Sequence, residues 1–234
     1  MNKHKLYFFG LSLLLPIAVL LLLITVTPIV NAAPSDIWDV TDDLAIARRS
    51  HTATLLPDGR VLVSGGYNTN SNYLNSAELY DPASETYTTT GNMNIARSSH
   101  TATLLPSGKV LLSGGEGSSA LNSAELYDPA SGIHTTTSNM RVAREHHTAT
   151  LLPDGKVLII GGLGSSGSYL NSTELYDPAN GTWTLTGGMT IARESHTSTL
   201  LADGKVLITG GTSTLGRLNS AELYDTASGI YTTT

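Results

Sequence analysis

The chain has 234 residues, of which 40% are hydrophobic, 14% charged and 6% aromatic, with 23 glycines and no cysteine, so disulfides, thiolate metal sites and cysteine nucleophiles are excluded. Its net charge of −6 is carried without a basic stripe, which argues against nucleic acid as a partner. Abundant Gly, Ser and Thr favour many short strands joined by turns over long helices.

The first element is an apolar leader. Lys3 and Lys5 precede an uncharged stretch over residues 6–30, and Val30-Asn31-Ala32 closes it with residues a signal peptidase accepts. The pattern predicts a signal peptide over residues 1–32, cut after Ala32 or Ala33, with Pro28 keeping the scissile segment extended. The uncharged stretch is 25 residues long, which is also enough for an uncleaved helix to span a ~30 Å hydrocarbon core. In both cases the lysines hold the N-terminus inside and send the body across the membrane. Loss of Lys3 and Lys5 would take the net charge from −6 to −8.

Beyond the leader, one unit is written four times. Arg-x-x-His-Thr recurs at Arg48, Arg97, Arg144 and Arg193, with His51, His100, His147 and His196 spaced by 49, 47 and 49 residues. A glycine pair follows at 65–66, 114–115, 161–162 and 210–211, and Glu-Leu-Tyr-Asp starts at Glu78, Glu125, Glu174 and Glu222. The repeats run over residues 48–93, 97–140, 144–189 and 193–234. Each predicts four strands. In the first repeat, residues 52–56 and 61–64 form a hairpin about Pro57-Asp58-Gly59. Residues 76–80 and 86–90 supply the third and fourth strands on either side of the Asp81-Pro82 turn. Four strands in a period of about 48, with a glycine pair and spaced aromatics, predict propeller blades.

At the glycine pair, the Tyr of Glu-Leu-Tyr-Asp, and the aromatic seven residues later (Tyr87, Trp183 and Tyr231, with His134 substituting once) the sequence resembles the kelch family over residues 37–234. The resemblance implies an all-β propeller whose blades pack face to face with the first strand nearest the axis. It leaves activity open, because kelch propellers include enzymes and binding modules. Galactose oxidase and its relatives share the hairpin style of residues 152–158. Their copper site with a cysteine-crosslinked tyrosine cannot form in a chain without cysteine. No motif for a hydrolase nucleophile, zinc protease or phosphate loop is present either, so no catalytic residue, metal ligand or cofactor is assigned. Ile37-Trp38-Asp39-Val40 reads as a fourth strand with no partners in its own blade. This predicts a partial or open propeller, with self-association or marginal stability as its consequence.

Site residues fall in two groups. Once-per-blade Arg and Glu predict partly buried ion pairs that fix blade packing, with an arginine ring for an acidic ligand as the alternative. The repeated histidines predict structural hydrogen bonds, since equivalent rings on successive blades are too far apart to share a metal. His146, outside the pattern, reads as exposed. The connection between second and third strands varies over 67–75, 116–122, 163–171 and 212–219, and removing it leaves all periods the same length. Insertions confined to one face mark a binding face, although exposed loops also tolerate length drift. Tyr67, Asn70, Tyr73, Glu116, Tyr169 and Arg217 are the candidate contacts. The expectation is a secreted or surface-anchored module binding a protein or glycan. A carbohydrate-active enzyme, or a fragment without independent function, is the alternative.

Overall fold

A computed structural model describes residues 41–70 and 72–234. The leader with its expected apolar helix and the expected strand at Trp38 lie outside the described residues. Regular structure among them is entirely β, and none of their segments is a helix long and apolar enough to cross a membrane.

The unit Val40–Thr234 carries four blades. The first contains β1 (Thr52–Leu55), β2 (Val61–Ser64), β3 (Ala77–Asp81) and β4 (Thr86–Thr89). The second contains β5 (Thr101–Leu104), β6 (Val110–Ser113), β7 (Ala124–Asp128) and β8 (Ile133–Thr136). The third has β9 (Thr148–Leu151), β10 (Val157–Ile160), β11 (Thr173–Asp177) and β12 (Thr182–Thr186). The fourth runs β13 (Thr197–Leu200), β14 (Val206–Thr209), a small hairpin of β15 (Thr212–Ser213) and β16 (Gly216–Arg217), then β17 (Ala221–Asp225) and β18 (Ile230–Thr233). Within each blade the four long strands pair antiparallel in chain order.

Local chemistry sets these elements. The β1–β2 turn closes with Leu56 N–H donating to the Arg60 carbonyl at 2.8 Å, and Gly59 adopts φ 88°, a region glycine enters without strain. The β3–β4 register puts Tyr80 opposite Tyr87, Tyr127 opposite His134, Tyr176 opposite Trp183 and Tyr224 opposite Tyr231. Each pair of rings lies 4.7–4.9 Å apart, tilted, a favourable cross-strand arrangement.

The core lies between blades. One apolar cluster joins Leu62, Leu79 and Met93 of the first repeat to Val110, Leu112 and Tyr127 of the second. Equivalent clusters join the second blade to the third and the third to the fourth. Second strands are covered on both faces in the middle blades, so β6 and β10 are buried at every residue, whereas β14 alternates buried and half-buried. Inner strands touch in the sequence β1, β5, β9, β13.

Each junction carries the same polar contacts. The His100 ring Nε2 shares a hydrogen bond with Thr52 Oγ1 of the blade before at 3.0 Å, as His147 does with Thr101 (3.0 Å) and His196 with Thr148 (2.9 Å). Farther out, Thr90, Thr137 and Thr186 bond the hydroxyls of Tyr127, Tyr176 and Tyr224. His51 departs from the expectation drawn for the repeated histidines. It is exposed and meets no threonine of another blade, while Thr197 bonds Thr209 of its own sheet. The contact that joins successive blades therefore does not join β13 to β1 among the described residues.

Candidate ligand-binding face

The repeated arginines are the first polar groups the fold fixes. Arg48, Arg97, Arg144 and Arg193 have fully buried side chains, each paired with the glutamate of its own repeat: Glu78 at 2.6 Å, Glu125 at 2.9 Å, Glu174 at 3.0 Å and Glu222 at 2.9 Å. Arg97 Nη1 also donates to the carbonyls of Gly114 and Ser123, and Nη2 to Ser123 Oγ. Glu125 in turn accepts from the backbone N–H of Asn94 and Ile95. Burial works against the charge on Glu125, but the Asn94 donors and the Arg97 guanidinium outweigh it and hold the carboxyl below its usual range. The Arg97 backbone meanwhile bonds the preceding blade, donating to Leu74 and accepting from Gly66. One residue thus ties two blades; protein groups take both terminal guanidinium nitrogens, and Nε is buried without a partner, so the group is not offered to a ligand.

The glycine pair is what lets the blades approach. A Cβ on Gly114 would stand 2.6 Å from the Arg144 carbonyl and one on Gly115 2.5 Å from the Ser98 carbonyl, at φ 61° and 98°. The chain leaving β6 thus lies against the segment leading into β9 of the next blade at Gly114 and, at Gly115, against the segment leading into β5 of its own.

That contact builds a rung in every blade. The residue after each repeated Arg forms a bridge with the residue after the glycine pair, and that residue bridges on to the returning loop. The rungs are Arg49, Tyr67 and Tyr73; Ser98, Glu116 and Ala120; Glu145, Leu163 and Tyr169; and Glu194, Thr212 and Arg217. Five of the six expected contacts, Tyr67, Tyr73, Glu116, Tyr169 and Arg217, sit on these rungs. Asn70 does not: it lies at the exposed loop tip, where Asn68 Oδ1 accepts from its backbone N–H at 3.0 Å. Sequence reasoning missed Arg49, Ser98, Glu145 and Glu194, which come from the connectors ahead of the inner strands.

A backbone belt runs beside the rungs. Ser50, Ser99, His146 and Ser195 adopt φ of 50–53°, an uncommon region for residues with a Cβ. Ser99 N–H donates to the Ser50 carbonyl at 2.9 Å, His146 N–H to Ser99 at 3.2 Å, and Ser195 N–H to His146 at 3.0 Å. His146 is exposed, as expected, and stands in the wall of a hollow of about 240 Å³ with Arg49, Tyr67, Tyr73 and Glu116. Tyr73 Oη donates to Glu116 Oε1 at 2.9 Å. Burial, then that bond, pushes the phenol up to about 12, so it remains a donor. Burial and the nearby Glu116 and Glu194 carboxylates raise Glu145 above its ordinary value, against the His146 ring.

A larger hollow of about 480 Å³ lies between the β1–β2 and β5–β6 turns. Its charges are satisfied locally, Arg60 by Asp58 and Lys109 by Asp128, and a similar cleft recurs between the next pair of turns. It is a by-product of blade spacing. Among the described residues no three His, Asp or Glu side chains gather so as to hold a metal ion.

No curated protein matches the chain. The family described as the KLHDC2/KLHL20/DRC7 Kelch-repeats domain matches it over residues 31–211. With four antiparallel blades, paired glycines and a repeated aromatic pair on the outer strands, the chain belongs to the kelch-repeat family of β-propellers.

Proposed function

We propose that this chain is a non-catalytic binding module acting outside the cytoplasm, and that the rung-bearing face is its ligand surface. The observation that carries this reading is where the four copies differ. The Arg, His, Gly-Gly and Glu-Leu-Tyr-Asp positions are the same in every repeat, whereas the rungs hold Arg, Ser, Glu and Glu at the first place, Tyr, Glu, Leu and Thr at the second, and Tyr, Ala, Tyr and Arg at the third. Positions that serve the fold need the same residue four times. A surface that recognises one asymmetric ligand needs different ones, and loops on a rigid scaffold are where such groups collect.

The test compares capture of extracytoplasmic proteins and glycans by the purified protein with capture by two variants. Tyr67→Ala/Tyr169→Ala/Arg217→Ala alters the rung face, and Lys109→Ala/Lys156→Ala alters the turns on the opposite side. A ligand lost with the first and kept with the second is the expected result. Equal retention by all three, with unchanged melting temperatures, overturns the assignment of the face.

Placement outside the cytoplasm is supported by Lys3 and Lys5 ahead of the uncharged stretch and by the small residues that follow it. N-terminal sequencing of the exported protein is expected to begin at Ala33 or Pro34. An intact Met1 on membrane-bound protein with the blades outside corresponds to the anchored form, and full-length protein in the cytoplasm overturns export.

A further inference from the structure

The hollow between the first two rungs has a chemistry that narrows its ligand. Resting on the binding function above, we propose that it takes one neutral sugar residue, gripped by Arg49 and Glu116 with the Tyr67 and Tyr73 rings in the wall.

Charge is the first constraint. Arg49 is exposed and Glu116 half-buried, both line the hollow, and neither belongs to an ion pair among the described residues. A carboxylate or phosphate entering would meet Glu116, and an ammonium or guanidinium would meet Arg49. Like charges brought together across a closing contact are costly, so a neutral ligand fits both groups. Polarity is the second constraint. The rest of the wall is three serines, His146 and the two phenol rings, with no aliphatic side chain. An apolar anchor would strip water from these groups without replacing its hydrogen bonds. Size is the third. About 240 Å³ falls below the ~300 to 1,000 Å³ typical of pockets for drug-sized molecules, which leaves room for a single ring.

A sugar meets all three. Its hydroxyls donate to a carboxylate and accept from a guanidinium, the two side chains whose capacities are fixed as acceptor-only and donor-only. Its C–H face suits an aromatic wall. The site is also held ready. Tyr73 Oη anchors the Glu116 carboxylate at 2.9 Å, the Arg49 guanidinium carbon lies 5.1 Å from the centre of the Tyr67 ring, and the Tyr67 and Tyr73 rings meet edge to face at 5.0 Å. Ser50, Ser99 and His146 are locked at positive φ by the backbone belt. Groups already in place lose less freedom when a ligand arrives. The other rungs lack this combination: Glu116 of the second lies near Glu145 of the third, which is bridged to Leu163, and no Arg or Lys belongs to either rung.

The experiment is ligand-observed NMR and calorimetry on the purified protein. The probes are the methyl glycosides of glucose, galactose, mannose and N-acetylglucosamine, and oligosaccharides of whichever binds. Saturable binding of at least one is expected, weakened at least tenfold by Arg49→Ala and severalfold by Tyr73→Phe at unchanged melting temperature. Tighter binding of the oligosaccharide identifies a glycan chain as the source, and equal binding identifies the free sugar. Failure of every glycoside to saturate, or binding indifferent to Arg49→Ala, overturns the proposal. If the sugars fail while capture still depends on Tyr67, Tyr169 and Arg217, the sugar inference falls and the binding module stands. If both fail, both fall.

Discussion

Arg97 shows how much one repeated side chain can carry. It has no exposure and reaches two carbonyls, a hydroxyl and the Glu125 carboxylate. Truncation strips these partners together and leaves Glu125 buried without its counter-charge, the costly way to break a buried pair. Arg97→Ala is expected to destabilise the protein by about 3 kcal/mol in denaturant unfolding; an unchanged midpoint with loss of ligand would instead make Arg97 a recognition residue. A gain of stability is expected at Glu85. It adopts φ 58°, where the other three blades place Gly132, Gly181 and Gly229 at φ 68°, 68° and 71°. A side chain at such an angle costs roughly 1 to 2 kcal/mol, and glycine's greater freedom in the unfolded chain returns part of it. Glu85→Gly is therefore expected to stabilise by about 0.5 kcal/mol or more, read as a raised melting temperature. A fall would show that the Glu85 side chain contributes contacts outweighing its strain.

The two kinds of connection in a blade respond differently to change. The β5–β6 turn is closed by Leu105 N–H to the Lys109 carbonyl at 2.8 Å and Gly108 N–H to Leu105 at 2.9 Å, leaving no slack. The loop over residues 116–122 is held at its base, by the bridges of Glu116 with Ser98 and Ala120 and by Leu121 N–H donating to the Gly115 carbonyl at 2.8 Å, while its exposed tip has one backbone bond of its own, Gly117 N–H to the Ser119 carbonyl at 3.0 Å. Inserting Gly-Ser between Ser118 and Ser119 should cost less than about 1 kcal/mol, since lengthening a loop is entropically cheap. The same insertion after Ser107 should cost several times more; equal costs would refute the distinction. Four strands per repeat, their turns and the glycine pair were legible in the sequence because each is set by residues near in the chain and written four times. Equal numbers of Arg and Glu likewise pointed to pairing. The first rung position was not legible: Arg49, Ser98, Glu145 and Glu194 sit between an Arg and a His that repeat, and only the fold shows them facing the variable loops. His51 misled for a related reason. Its sequence matches His100, His147 and His196, but burial of those three depends on the blade that packs in front.

Those three histidines make the stability of the whole unit depend on pH. Each is nearly buried at a blade junction, bonded through Nε2 to a threonine of the previous blade, with an Nδ1 that has no protein partner. Protonation would place a charge in an apolar junction beside a buried arginine and put a hydrogen on both ring nitrogens, with nothing to accept the one on Nδ1. Burial first, then the neighbouring Arg97 and Arg193 charges, lowers His100 to about 3 and His196 to about 4, and burial with Arg144 holds His147 well below the ordinary value. In the unfolded chain all three titrate near 6.5. The folded form thus refuses protons that the unfolded form accepts, so the stability contributed is fully present above pH 6.5 and is lost as pH falls towards 4. Each ring can cost up to about 1.4 kcal/mol per pH unit across that window. Because the histidines occupy successive junctions, the loss should appear as one cooperative fall in melting temperature between pH 6.5 and 4. Replacing His100, His147 and His196 with glutamine should flatten the profile, even if the variant starts less stable at pH 7. A melting temperature constant from pH 7 to 4.5 in the unmodified protein would mean that the junctions admit a charged imidazole and that these histidines do not couple blade packing to pH.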